Sequence, residues 1–134
     1  LDDSSPFSGL LFQEIRKIER ETGMTDLQAC VWEWTLVGLK TADIAEVFGR
    51  DESTIRQHLK AAQKKAASYP HRGILTVLVE NLGYDAVREV LMERLDDAVP
   101  NHPMARKLTR RAYEVREKYL QDQERKRRLA ARNN

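Results

Sequence analysis

The feature that most constrains this chain is where its glycines fall. Apolar stripes at helical spacing recur along the sequence, and a glycine stands shortly after each. Leu11, Ile15 and Ile18 precede Gly23. Leu27, Val31 and Leu36 precede Gly38, and Ile44, Ala45 and Val47 precede Gly49. Ile74, Leu75, Leu78 and Leu82 precede Gly83. A glycine adopts the left-handed conformation that ends a helix, so this punctuation predicts short helices with abrupt stops. Six Gly and four Pro in 134 residues are too few for a turn-rich all-β fold. The expected class is all-α.

The boundaries follow from caps and breaks. A first helix is expected over about Gly9 to Glu21, capped by Ser8. Thr25-Asp26-Leu27-Gln28 has capping-box spacing and should open a helix running to about Val37. Trp32 and Trp34 are two apart on that helix, so one faces the core and the other meets a neighbouring segment or chain. Cys30 reads as a small core residue there. Thr41 is expected to cap a short helix, and Asp51 a longer one whose inner face is Ile55, Leu59, Ala62 and Ala66.

Pro70 and Gly73 break the chain. The stretch 74–82 is β-branched enough for a strand, but its shared apolar face and following glycine favour a helix. A further helix is expected over about Asp85 to Leu95, then a linker over Asp96 to Pro103. The last helix starts near Pro103 and carries Met104, Leu108, Ala112, Val115 and Tyr119 at spacings of 4, 4, 3 and 4. So narrow a stripe suits a docking or coiled-coil seam, and these five residues are the oligomerisation candidates. Three segments result: an amphipathic helix over 1–23, a domain over 24–69, and a helical oligomerisation region with a basic tail over 70–134.

Charge is distributed unevenly. The net charge is +2, but Met104 to Asn134 holds 11 Lys/Arg and 4 Asp/Glu, while the remainder holds 12 and 17. A body of −5 therefore carries a tail of +7, ending in Arg125-Lys126-Arg127-Arg128. Such asymmetry suits a polyanion, an acidic partner or a sister chain. No run reaches the ~20 apolar residues of a membrane helix. The start, at Leu1, lacks the order of a signal peptide, and upstream sequence is open to having been removed. A single cysteine forms no internal disulfide, so a cytoplasmic setting is the simplest expectation.

Two short helices joined by a Gly-containing turn, the second longer and basic, make the helix-turn-helix pattern. The residues add to it. Gly38-Leu39-Lys40-Thr41-Ala42-Asp43-Ile44-Ala45 is followed by Asp51-Glu52-Ser53-Thr54-Ile55-Arg56-Gln57-His58-Leu59. This resembles the LuxR/GerE-type DNA-binding domain, with the Ala45-to-Asp51 interval of that family kept. Met24-Thr25, Gln28 and Val31 fall where the family has Leu-Thr, Glu and Val. The resemblance covers about residues 24–66, and the sigma-factor domain that reads the upstream promoter element looks similar. Three positions depart from the pattern. Gln28 replaces an acid, turning an expected salt bridge into a hydrogen bond at most. Arg50 replaces a buried aliphatic residue of the turn, and either snorkels to a phosphate or leaves the turn to be packed by Phe48. Lys40 replaces a small polar residue.

The resemblance and helix geometry imply a recognition helix over 52–67 lying in a major groove. With the apolar face inward, Ser53, Arg56, Gln57 and Lys60 are the base-contact candidates. Lys40, Thr41, Arg50, Thr54, His58, Lys64 and Lys65 are the phosphate candidates. Arg125, Lys126, Arg127 and Arg128 make a basic tail that is either a solvated helix end or a nucleic-acid arm.

The leading functional expectation is a sequence-specific double-stranded DNA-binding protein. It would be a transcriptional regulator of bacterial type, acting as a dimer or higher homo-oligomer. Two alternatives stay open: a small viral DNA-packaging (terminase-like) recognition subunit, and a sigma-like interaction protein docking on RNA polymerase. An enzyme is not expected, because no nucleophile–base spacing or phosphate-binding glycine loop is present. No cofactor, metal or membrane partner is expected. His71 and His102 have no partners at ligand spacing.

Overall fold

A computed structural model describes residues 6–93 and 105–133 of the chain. These residues form seven α-helices and no strand: α1 (Pro6–Glu21), α2 (Asp26–Val37), α3 (Thr41–Phe48), α4 (Glu52–Ala67), α5 (Ile74–Leu82), α6 (Tyr84–Met92) and α7 (Ala105–Arg132). The expected all-α class is therefore observed, ending in a long basic helix. The ambiguous stretch 74–82 is helical. Ile74, Leu75 and Leu78 lean together on the core, and Gly83 at φ 82° closes the helix with its N–H on the Leu78 and Val79 carbonyls.

The fold is organised around α2. Thr25 and Gln28 form the capping box: the Gln28 N–H donates to Thr25 Oγ1 and the Thr25 N–H to Gln28 Oε1, both at 3.1 Å. Gly38, at φ 115°, ends the helix. Between these caps Cys30, Val31, Trp32, Glu33, Trp34, Leu36 and Val37 are all buried. A helix apolar on every side has no solvent face, so it takes the centre and is wrapped by its neighbours. Here α4, α6, α3 and α7 all pack against α2. Both tryptophans are consumed as a result. Trp34 is fully enclosed, while Trp32 lines a cleft with Tyr84, Asp85 and Arg88 of α6.

One hydrophobic core runs through all three sequence segments. Leu11, Phe12 and Ile15 of α1 join Ile44 of α3, Ile55 and Ala62 of α4, Leu91 of α6, and Leu108 and Ala112 of α7. Each buried Leu or Ile contributes about 1.5–3 kcal/mol relative to exposure. The outer segments are thus structural parts of the body that carries α3 and α4.

Several boundaries are corrected. Helix α1 begins at Pro6, whose fixed φ suits a first turn, so Ser8 lies inside the helix, buried, and does not cap it. Lys40 occupies the N-cap position of α3, and Thr41 is its first helical residue. Asp51 holds the N-cap position of α4, but its side chain makes no cap hydrogen bond. Helix α6 runs from Tyr84 to Met92. Leu95, Met104, His102 and the linker over 96–103 lie outside the described residues.

The α5 N-terminus is capped from a distance. Gly73 offers no side chain, and the Ile74 and Leu75 N–H groups instead donate to the two Glu14 carboxylate oxygens, at 2.9 and 2.6 Å. A carboxylate at a helix N-terminus answers both orphan donors and the helix dipole. A Cβ on Gly73 would collide with Glu14 Oε1, so the bare backbone is what admits the carboxylate.

The α7 stripe is spent within the chain. Leu108 and Ala112 are fully buried, and Val115 packs on the same core. The Tyr119 hydroxyl donates to Glu89 of α6 at 2.5 Å, and Arg88 stacks over the Tyr119 ring at 4.9 Å. Within the chain, α2 and α3 pack on this stripe and α6 meets Tyr119, so Leu108, Ala112, Val115 and Tyr119 dock intramolecularly. The helix is about 42 Å long at 1.5 Å per residue. Past Tyr119 its apolar residues Leu120 and Leu129 are half exposed.

Candidate nucleic-acid interface

Helices α3 and α4 are joined by Gly49, Arg50 and Asp51. Gly49 turns left-handed at φ 64°, and the Arg50 N–H closes the turn on the Ala45 carbonyl at 3.0 Å. The pair is held from inside by Ile44, Ala45, Ile55 and Ala62, all buried. Leu59 and Ala66 complete the inner face of α4 at partial exposure. Phe48 packs against the core and Arg50 is exposed, so the turn is filled by the aromatic ring and the guanidinium is left free to reach outward.

A polar clamp fixes the two helix starts. The Thr41 hydroxyl donates to Glu52 Oε1 at 2.9 Å, and Glu52 Oε2 lies 3.7 Å from Arg56 Nη2. Thr41 is thus tied into the scaffold, and Glu52 orients both it and Arg56. Sequence reasoning missed Glu52. Its partner lies eleven residues away across a turn, and no local spacing rule encodes that distance.

The outward face of α4 is solvent-exposed throughout. Ser53, Arg56, Gln57, Lys60 and Lys64 are all exposed. Arg56, Lys60 and Lys64 form one row, each about 6 Å further along the axis. The Arg56–Glu52 pair is exposed at both ends, so it is worth less than about 1 kcal/mol and exchanges readily for a stronger acceptor. Thr54 and His58 are half-buried on the flanks of the row. Lys40 and Arg50 are exposed, one at each end of α3. The arrangement offers hydrogen-bond donors along a convex helical ridge, with cations on either side.

Lys65 belongs elsewhere. Its ammonium donates to the Gly23 carbonyl at 2.9 Å and to Gln28 Oε1 at 2.7 Å. It therefore staples α4 to the α1–α2 turn, and the phosphate role expected for it is replaced by an internal one. Gln28, where an acid was the expected pattern, supplies the neutral acceptor.

The basic tail is an exposed, internally paired helix surface. Arg125 pairs with Asp122 at 3.1 Å, and Arg127 and Arg128 with Glu124 at 3.2 and 3.3 Å. Lys126 is exposed beside them. Helix α7 is anchored to α3 by Arg111, which reaches Glu46 at 3.1 Å, a second long-range link that sequence spacing did not reveal. His71 packs edge-on to Tyr69, with ring centroids 5.2 Å apart.

Strong pKa shifts occur between α1 and α2. Glu19 is pushed up to about 10, first by burial and then by its hydrogen bond to and repulsion from Glu33. Glu33 is 1% exposed, and Arg16 Nε lies 3.9 Å from its Oε1. Arg16 and Arg20 both favour ionisation of Glu19, but burial and Glu33 outweigh them, so its carboxyl keeps its proton. The Cys30 thiol is pushed up to about 12, chiefly by burial, so it stays a neutral core residue. Among the described residues no helix is long and apolar enough to cross a membrane. Comparison with protein-family models, with curated proteins and with solved structures finds no match to this chain.

Proposed function

We propose that this chain is a sequence-specific double-stranded DNA-binding protein. In this reading α3 and α4 form a helix-turn-helix, with α4 in the major groove. The observation that carries it is the outer face of α4: Ser53, Arg56, Gln57, Lys60 and Lys64 exposed in register, over an inner face sealed by Ile55 and Ala62. An α-helix fits the major groove, where Arg and Lys donate to guanine and Gln pairs with adenine. Lys40 and Arg50 at the two ends of α3, with Thr54, His58 and Lys64, would hold the backbone. The tail at Arg125–Arg128 would add a sequence-independent arm, since its intrahelical pairs are weak.

A single helix of this kind reads few base pairs, so a homodimer or higher oligomer is the working form proposed. The role proposed is that of a cytoplasmic transcriptional regulator of bacterial type. The test compares two variants on a duplex selected from a random pool and on random duplex. Arg56→Ala should cost about 1–3 kcal/mol on the selected site and relax one base position. Lys64→Ala should weaken both duplexes alike and lower the salt slope by about 1. Equal losses for both variants on both duplexes would refute the assigned roles. Absence of any salt-dependent binding would leave a protein partner, such as RNA polymerase, as the better reading.

A further inference from the structure

A second candidate site lies in the cleft between α2 and α6, bordered by Gln63 of α4. Its volume is about 240 Å³. Trp32 and Leu36 form one wall, and Tyr84 stands at the rim, 65% exposed. Gly38, Arg88 and Asp85 line it too, with Thr35 and Gln63 as further polar groups. The arginine side chain crosses the bare face of Gly38, where a Cβ would collide with Arg88 Cδ and lie 3.7 Å from Nε. Gly38 is thus needed twice, for its positive φ and for this crossing.

The Arg88 guanidinium is held in place but not satisfied. Its face stacks on Tyr119 at 4.9 Å, and Nη2 donates to Asp85 Oδ1 at 3.1 Å. Nε is buried and has no acceptor. Nε and Nη2 share the edge of a guanidinium that takes a carboxylate with two parallel hydrogen bonds. Asp85 fills half of that edge with one oxygen, and its side chain is 85% exposed, so it can be displaced. A cavity of about 150 Å³ accommodates a benzene ring, which leaves about 90 Å³ here for a short acid side arm. An indole wall, an aliphatic wall and a phenol at the rim are the surroundings an aromatic ring takes up.

We propose that this cleft binds a small aromatic monocarboxylate, its ring against Trp32 and Leu36 and its carboxylate on the Nε–Nη2 edge of Arg88. The ligand contacts argued here, Trp32, Leu36 and Arg88, are not residues of the α4 ridge, so the proposal does not rest on the DNA-binding reading. The test titrates the full chain with sodium phenylacetate, read by tryptophan fluorescence and by amide and arginine Nε NMR shifts. Saturable binding is expected below about 10 mM, with shifts at Gly38, Trp32 and Arg88 Nε. The neutral analogue phenylacetamide should bind about tenfold more weakly, since it loses the charge-assisted pair. Arg88→Lys, which lacks the fork, should weaken phenylacetate by a similar factor. Should that variant unfold, Asp85→Asn still decides the matter. It removes an exposed competitor for Arg88 and should tighten phenylacetate about threefold or more while leaving phenylacetamide unchanged. No saturable binding, equal affinity for acid and amide, or an Asp85→Asn variant indistinguishable from the parent would each overturn the proposal.

Discussion

Replacing Glu19 by glutamine tests the electrostatics of the α1–α2 interface. The folded chain holds the Glu19 proton up to about pH 10, because burial and the neighbouring Glu33 both oppose ionisation. In the unfolded chain the same carboxyl releases it near the ordinary value of 4.5. Between these limits folding takes up one proton, so stability is greatest below pH 4.5 and falls as pH rises. One proton taken up on folding corresponds to roughly 3 kcal/mol lost between pH 6 and pH 8. Glu19→Gln keeps the shape and the hydrogen bond to Glu33 but has no proton to take up. Its stability should lack that dependence, and its advantage over the parent should grow by roughly 3 kcal/mol over the same interval. Glu33→Gln removes the repulsion but not the burial, so it should move the slope to lower pH without abolishing it. The assay is urea unfolding at pH 6, 7 and 8, with free energies taken by linear extrapolation. Histidine titrations are common to parent and variants and cancel in the difference. Parallel pH profiles for parent and Glu19→Gln would refute the shared-proton argument.

Other expectations follow from single contacts. Lys65→Met should destabilise the fold by about 1.5–3 kcal/mol, because two acceptors lose a charged donor, yet leave the salt slope of DNA binding unaltered. A lowered slope would return Lys65 to the phosphate contacts. Glu14→Ala should cost about 0.5–2 kcal/mol as a lost helix cap. Gly73→Ala should cost at least as much, and the double variant little more than Gly73→Ala alone, because both break one contact. Additive losses in denaturant would contradict the remote cap. Leu108→Ala should cost about 2–5 kcal/mol as a core cavity, with a midpoint shift from the parent that is the same at every protein concentration. A concentration-dependent midpoint shift would place Leu108 at a subunit seam after all.

Local chemistry was legible without coordinates. The Thr25–Gln28 capping box, the stops at Gly38, Gly49 and Gly83, and the inner face of α4 all depend on residues within a few positions of each other. Such patterns survive in a linear text. The α4 ridge was legible for the same reason, since helical period alone puts Arg56, Lys60 and Lys64 on one side. What was not legible joins residues far apart in the chain. Glu14 caps α5 across sixty residues, Lys65 staples the α1–α2 turn, and Arg111 reaches Glu46. The α7 stripe was legible as a face in need of cover, but not that Leu108 and Ala112 are buried within their own chain. Amphipathicity states that a face must be covered and says nothing of what covers it.

The sequence by itself determined that this chain is helical, where most helices stop, and which side of α4 is polar. Those are properties of short stretches, set by backbone conformation and periodicity. Only the tertiary structure decided that α2 is central, that one core unites the three segments, and that Lys65 turns inward while Arg56 and Lys60 stay exposed. It also decided that Gly38 and Arg88 meet to line a cleft. The physical reason is that burial and long-range hydrogen bonding are settled by how helices pack, and packing depends on all of them at once.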